Sequence, residues 1–258
     1  MITEVKFQSW KESVAELLDR SNFAGAVNRS PAGTVLLKPN LVSTDPPPIT
    51  TPVELVGEIA DYLKNNCPDK SVVIGEGCGM IDYDTPKVFE CLGYSELAAE
   101  KNIELIDLNY APVRRLVNPS CTHWKELYLP EIVIDSFLVS IPVLKAHSLS
   151  TVTLAMKNMI GTAPPEYYCA GSWKKSAFHN NVETAIYELN RYRAPDFSII
   201  DATEGMAEAH LWGPKCSPPP GILLASENPV ETDKRGAELL GFDWRGIGHI
   251  AMAEKSGF

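Results

Sequence analysis

"SFLVSIPVLKAHSLSTVTLAMKNMIG", residues 136–161, opens as a continuous apolar run and closes as an amphipathic one. The part at 136–144 has the length and the Val/Ile/Leu content of a strand buried on both faces, the habit of a parallel sheet covered by helices. The residues after it read as a helix from about Ser150. On that helix Ser150, Thr153, Lys157 and Gly161 fall near one line, while Val152, Ala155, Met156, Met159 and Ile160 cover the rest of the surface. Lys145 and His147 stand just before it, and Asn158 lies within it. Positive charge, hydroxyls and the free N–H groups of a helix start would then converge, a set suited to a phosphate or carboxylate. The plainer alternative is a half-exposed helix whose lysine snorkels and whose histidine is satisfied in the core.

Outward from this segment, strand-like and helix-like stretches alternate. Strands are expected at 34–40, 71–77, 103–109, 197–203 and 221–226, with short ones near 113–117 and 126–129. Helices are expected at 51–66, where Thr51, Pro52 and Glu54 have capping-box spacing, at 85–101, at 180–193 behind Asn180 and Glu183, and near 229–240 and 247–255. The alternation predicts an α/β fold with a mostly parallel sheet flanked by helices and a ligand cleft at the strand carboxyl ends. One large domain, or two closely packed lobes, accounts for 258 residues.

Several of these strands run into polar residues at their carboxyl ends: Lys38 with Asn40, Glu76, Asp107 with Asn109, Lys145 with His147, and Asp201 with Thr203 and Glu204. In an open parallel sheet those ends share one edge, where such folds bind ligands. Turn chemistry alone explains Asp107, Asn109 and Thr203. It explains Lys38 and Lys145 less well, because a lysine ending a buried strand must find solvent or an anion.

Composition removes whole classes of function. Twenty-three basic against 33 acidic residues leave a net charge of −10, so nucleic acid is not an expected partner. The longest apolar runs fall far short of the roughly 20 residues needed to span a bilayer. The opening "MITEVKFQSW" lacks a signal-peptide core, and the expectation is a cytoplasmic protein that does not engage membranes. Cys67, Cys78, Cys91, Cys121, Cys169 and Cys216 are dispersed, so no iron–sulfur cluster is expected in this chain. "GEGCGM" at 75–80 has the wrong spacing for a dinucleotide loop and reads instead as a turn that aims Glu76 into the cleft. His147, His179, Glu76 and Asp201 are of metal-ligand type without local ligand spacing, which leaves metal open, while His123, His210 and His249 read as loop or surface histidines.

The chain resembles the family called domain of unknown function 362 (DUF362) at "KPNLV", "PPITTP", "VVIGEG", "IPVLKAH" with "TVTLAMKNMIG", His179, "IIDATEGM", the "GP" at 213–214 and "PVETD". The resemblance runs from about residue 34 to the end. It implies a prokaryotic family of largely undefined function whose members often carry an appended ferredoxin-like 4Fe-4S module. Its motif falls on Lys38, Asn40, Glu76, Lys145, His147, Lys157, Asn158, His179, Asp201 and Asp233. Three departures stand out: Thr51 where many relatives have histidine, Leu211 and Trp212 in place of a glycine-rich lead, and the missing cluster cysteines. A fainter similarity to the amino-terminal part of nickel-dependent lactate racemase implies a bound organic cofactor or metal.

These readings converge on a small anionic ligand, or an anionic or metal cofactor, held by Lys38, Asn40, Lys145, Thr153, Lys157, Asn158, Asp201 and Asp233. His147, His179 and Glu76 are the candidate catalytic groups. An enzyme is one outcome, a non-catalytic carrier of the same ligand a second, and an accessory protein of a redox system a third. A homo-oligomer is compatible with each.

Overall fold

A computed structural model describes residues 1–171 and 173–258. Its strands are β1 (Thr3–Lys6), β2 (Thr34–Pro39), β3 (Ser71–Glu76), β4 (Glu104–Asp107), β5 (Val113–Val117), β6 (Glu126–Pro130), β7 (Phe137–Ile141), β8 (Val143–His147), β9 (Thr151–Thr153), β10 (Phe197–Met206) and β11 (Ile222–Ser226). Its helices are α1 (Trp10–Arg20), α2 (Phe23–Arg29), α3 (Val53–Asn66), α4 (Thr85–Cys91), α5 (Tyr94–Lys101), α6 (Glu131–Asp135), α7 (Ala155–Asn158), α8 (Pro165–Tyr168), α9 (Val182–Tyr192), α10 (Pro229–Leu239) and α11 (Gly248–Ser256).

The main sheet has the order β1-β11-β10-β7-β2-β3-β4. It is parallel from β10 to β4 and antiparallel where β11 and β1 close one side. The parallel strands are apolar on both faces because both are covered. Val35, Leu37, Val139 and Phe197 face a core with Leu17, Phe23 and Ile59, from α1, α2 and α3. Leu36, Leu138 and Ile200 face the opposite core with Met156, Leu189 and Ile250, from α7, α9 and α11. Lys38 follows Leu36 by two residues, so strand alternation sends its side chain into this second layer. Among the described residues no helix is long and apolar enough to cross a membrane.

Residues 137–147 form one strand interrupted by Pro142. β10 pairs first with β7, through Phe197 opposite Val139, and then with β8, through Asp201 opposite Val143. β2 ends at Pro39, opposite Ile141, so β8 projects past its neighbour with one edge unpaired. β9 fills that edge as an antiparallel return, with Lys145 opposite Thr153 and His147 opposite Thr151. The helix expected from Ser150 is therefore absent over its first turn. β-Branched Thr151, Val152 and Thr153 take the free strand edge, and helix begins only at Ala155.

The start of α7 is closed as well. Asp233, fully buried on α10, accepts the Ala155 amide at 2.7 Å and the Met156 amide at 3.0 Å. Burial pushes its carboxyl up to about 7, and the two amide donors work against that rise. The N–H groups expected to meet a ligand are thus already taken by this carboxylate. Two other helix starts depart from the sequence reading. Thr51 donates to the Ile141 carbonyl at 2.7 Å and leaves Pro52 at the head of α3, while Asn181, with φ 65°, precedes α9.

Each buried N–H left without an acceptor costs about 1–3 kcal/mol, partly offset here by removal of a buried charge. Asp233→Ala should therefore lower stability by about 2–4 kcal/mol in urea unfolding. A change under about 1 kcal/mol would show that the α7 start needs no carboxylate.

Candidate functional site

At the carboxyl ends of β2 and β3 lies a buried ion pair. Lys38 Nζ donates to Glu76 Oε1 and Oε2 at 3.0 and 2.8 Å, to Asn158 Oδ1 at 3.1 Å and to the Pro39 carbonyl at 3.1 Å. Glu76 also accepts the Gly77 amide at 2.8 Å and the Leu41 amide at 3.2 Å. Asn158, from α7, donates to the Lys38 carbonyl and to Ser140 Oγ, and its Oδ1 also accepts from Asn40 Nδ2 at 3.1 Å. Burial pulls the Lys38 ammonium down and the Glu76 carboxylate holds it up. The backbone of residue 161 lies directly on this pair: a Cβ there would sit 2.3 Å from Glu76 Oε1 and 2.5 Å from Lys38 Nζ, so only glycine fits. Lys175 closes the flank, donating to Asn109 Oδ1 at 2.7 Å and to the carbonyls of Gly161 and Ala163 at 3.1 and 2.6 Å. Burial lowers its amine to about 7.

Beside this saturated network is a second cluster with open valences. Lys145 is 1% exposed and its Nζ donates to the Ile49 carbonyl at 2.6 Å. Burial, then repulsion from Lys157, lowers it to about 7 against the pull of Glu76. Lys157 is half-buried, lowered by burial to about 8, and supported by the charge of Glu183 alone. His147 Nδ1 accepts the Leu149 and Ser150 amides at 3.0 and 3.3 Å, which puts the ring proton on Nε2. Burial, then Lys157, His210, His179 and Lys145, hold this imidazole far below the ordinary histidine range. It is a neutral ring that donates. His210 stacks on it with centroids 3.9 Å apart and is itself lowered to about 3, by burial and then Lys157. His179 Nδ1 accepts from Trp173 Nε1 at 3.2 Å, and burial followed by Lys157 lowers its ring.

Three polar atoms at the margins of these groups are buried with no partner among the described residues: Asn40 Oδ1, Thr153 Oγ1 and His210 Nδ1. Buried polar atoms of folded proteins are nearly always paired, so Thr153 Oγ1 and His210 Nδ1 stand out beside Lys145 and His147 as polar groups free to make a further hydrogen bond. Thr151, the first residue of β9, has φ 62°, a conformation rare for a β-branched residue.

A model of the family described as domain of unknown function (DUF362) matches residues 35–238. The chain belongs to the DUF362 family. A curated relative, Thylakoid-associated protein sll1697 of Synechocystis sp., is 25% identical over 237 residues, covering 88% of this chain and 69% of that protein. Neither match carries the similarity to nickel-dependent lactate racemase.

Within this DUF362 chain the predicted site residues fall into three groups. Lys38, Glu76, Asn40 and Asn158 form the closed network, and Lys145, His147, Thr153, Lys157 and His179 the open one. Asp201 and Asp233 join neither through a hydrogen bond or ion pair. Asp201 Oδ1 accepts the amide and hydroxyl of Thr203 at 2.9 and 2.7 Å, and Asp233 holds α7. Two surface hollows, one bordered by Ser30, Asp135 and Arg193 and the other by His123, Trp124 and Tyr167, include none of these residues. Among the described residues no three His, Cys, Asp or Glu side chains come together in a way that could hold a metal ion.

Sequence reasoning missed Lys175 and His210. Nothing in "GSWKKSAFH" marks the second lysine as buried, and His210 was read as a loop or surface histidine although it forms half of the stacked pair. His249, read the same way, is fully buried on α11 and shares a 2.6 Å hydrogen bond with Glu183 Oε2.

Because the Lys38–Glu76 pair is buried, removing one member strands the other. Lys38→Met should cost about 3–5 kcal/mol of stability, whereas opening the exposed Lys87–Glu90 pair should leave the unfolding midpoint in place. Comparable midpoints for the two variants would contradict the network.

Proposed function

We propose that the open cluster binds a small metabolite carrying a carboxylate or phosphate, and that the protein is an enzyme acting on that metabolite. The observation that carries this reading is the pair Lys145 and Lys157, two poorly neutralised lysines beside an orphan threonine hydroxyl in a chain whose net charge is −10. Holding such lysines together in a low-dielectric setting is unfavourable until an anion arrives. Lys38 and Asn158 belong to the neighbouring network, and Asn40 and Thr153 would supply further polar contacts to the ligand.

The roles follow from protonation. His147, fixed as an Nε2–H donor by two amides, is suited to stabilising negative charge that develops on a bound oxygen. It is poorly suited to accepting a proton, since both amides compete for Nδ1. His179, with Nδ1 committed to Trp173, keeps Nε2 for proton exchange. A carrier would need the same charges without this fixed donor, so binding without turnover across a broad panel of anionic metabolites would move the assignment to carrier.

Affinity is tested with short carboxylates, whose own charge is constant from pH 6 to about 9. Lys157→Met should lose about 1.5–3 kcal/mol, roughly 10- to 150-fold, in calorimetric titration. Lys145 and Lys157 gain their charge as pH falls through about 7 and 8, so affinity should be greatest below pH 7 and fall as pH rises through that interval. Stability of the empty protein should move the other way. An amine lowered from 10.5 to about 7 binds fewer protons folded than unfolded between those values, so this contribution rises with pH across the interval. Equal affinity of the two proteins, or affinity independent of pH between 6 and about 9, would overturn the reading.

A further inference from the structure

Four lysines are buried among the described residues, and three of them have two or more acceptors. Lys38 has Glu76, Asn158 and a carbonyl; Lys174 has Asp84 and the Tyr83 carbonyl; Lys175 has Asn109 and two carbonyls. Among the described residues Lys145 has a single acceptor, the Ile49 carbonyl, and no carboxylate partner. As an ammonium it would hold two buried N–H groups without acceptors beside a second cation. As a free amine it has one N–H bonded, one left over, and a lone pair that no donor occupies. Thr153, directly opposite across the β8–β9 pair, is equally unengaged through its hydroxyl.

We propose that Lys145 is a covalent lysine, whose Nζ adds to the carbonyl carbon of a small aldehyde or ketone that carries a carboxylate or phosphate held by Lys157. This rests on the anion-binding reading and narrows its substrate class to carbonyl compounds. In the step, the amine lone pair forms the C–N bond and the carbonyl π electrons move to oxygen, which is protonated to give a carbinolamine. The oxygen then leaves as water while nitrogen forms the C=N bond. Amine, carbonyl and one proton give a cationic imine and water, with no oxidant or reductant, and hydrolysis reverses the sequence.

The surroundings favour this at each stage. Thr153, opposite Lys145 across the β8–β9 pair, has an unengaged hydroxyl that would hydrogen-bond the carbinolamine oxygen, and His147 Nε2–H, two residues further along β8, would supply a second donor. The anionic group of the substrate neutralises Lys157, which removes the repulsion that the cationic imine would otherwise meet. Glu76, the acidic charge felt at Lys145, is engaged with Lys38 and does not compete. A free amine near neutral pH is the state in which lysines serve as nucleophiles, reached here by desolvation and a neighbouring cation.

The experiment is reductive trapping of the full chain. Protein is incubated at pH 7 with pyruvate and cyanoborohydride, and in parallel with acetone, and peptide mass spectrometry follows labelling of Lys145 against the exposed Lys11 and Lys255. An ordinary lysine is well under about 0.1% free amine at pH 7, so Lys145 should label with pyruvate roughly tenfold faster or more than the exposed lysines. Normalised to Lys11, pyruvate should exceed acetone at Lys145 by about tenfold. If Lys145 outpaces the surface lysines equally with both compounds, the covalent role stands and the anion reading falls. If pyruvate binds in calorimetry but labels Lys145 no faster than Lys11, the covalent role is overturned and the anion reading stands. If pyruvate neither binds nor labels, both are overturned.

Discussion

The buried pair of Lys38 and Glu76 is the constraint on which the rest of this edge depends. Two charges taken out of water must be matched nearly atom for atom, and the chain does so with the Gly77 and Leu41 amides, the Pro39 carbonyl and the side chain of Asn158. Those demands fix the loop after β2, the turn after β3 and the end of α7 relative to one another, and they require glycine at 161. A buried ion pair adds little net stability compared with apolar packing; what it contributes here is position. It also removes Glu76 from the local balance of charge.

The same accounting explains how an acidic chain holds an electropositive site. Several carboxylates are engaged with other groups: Asp84 with Lys174, Glu183 with His249, Asp201 with Thr203, and Asp233 with the amides of α7. Among the described residues Lys145 and Lys157 have no ion-pair partner, and burial, then the charge of Lys157, keeps His147, His179 and His210 neutral. Neutral imidazoles beside under-neutralised lysines form a set of donors. That asymmetry ties the fold to the proposed chemistry, because the lysines are held in their unfavourable setting by a network that does not itself need them.

Much of this was legible in the sequence where a residue conflicts with its neighbours. Lysines ending the apolar runs "TVLLK" and "IPVLK" are costly in a sheet covered on both faces, and both are buried. Glu76 was recognisable because a carboxylate between two glycines does not suit a phosphate loop. The segment after His147 was misread because Thr-Val-Thr fits an amphipathic helix and a strand equally well. What decided it was the unpaired edge of β8 beyond Pro39, a tertiary fact. The depth of Lys175 and the stacking of His210 depend on how long loops fold back, and local pattern carries no information about that. Asp233 was singled out as a ligand contact, but its partners are backbone amides 77 and 78 positions away, which no local spacing could reveal.

The central claim is that Lys145 and Lys157 are under-neutralised in the empty protein, and the ionisation of individual lysines is the most direct test of it. Side-chain NMR of the carbon next to each amine, followed against pH, reads every lysine separately. Midpoints near 7 for Lys145 and near 8 for Lys157 are expected, both moving upward when a short carboxylate is added. Midpoints near the ordinary lysine value of about 10.4, unmoved by carboxylate, would contradict it.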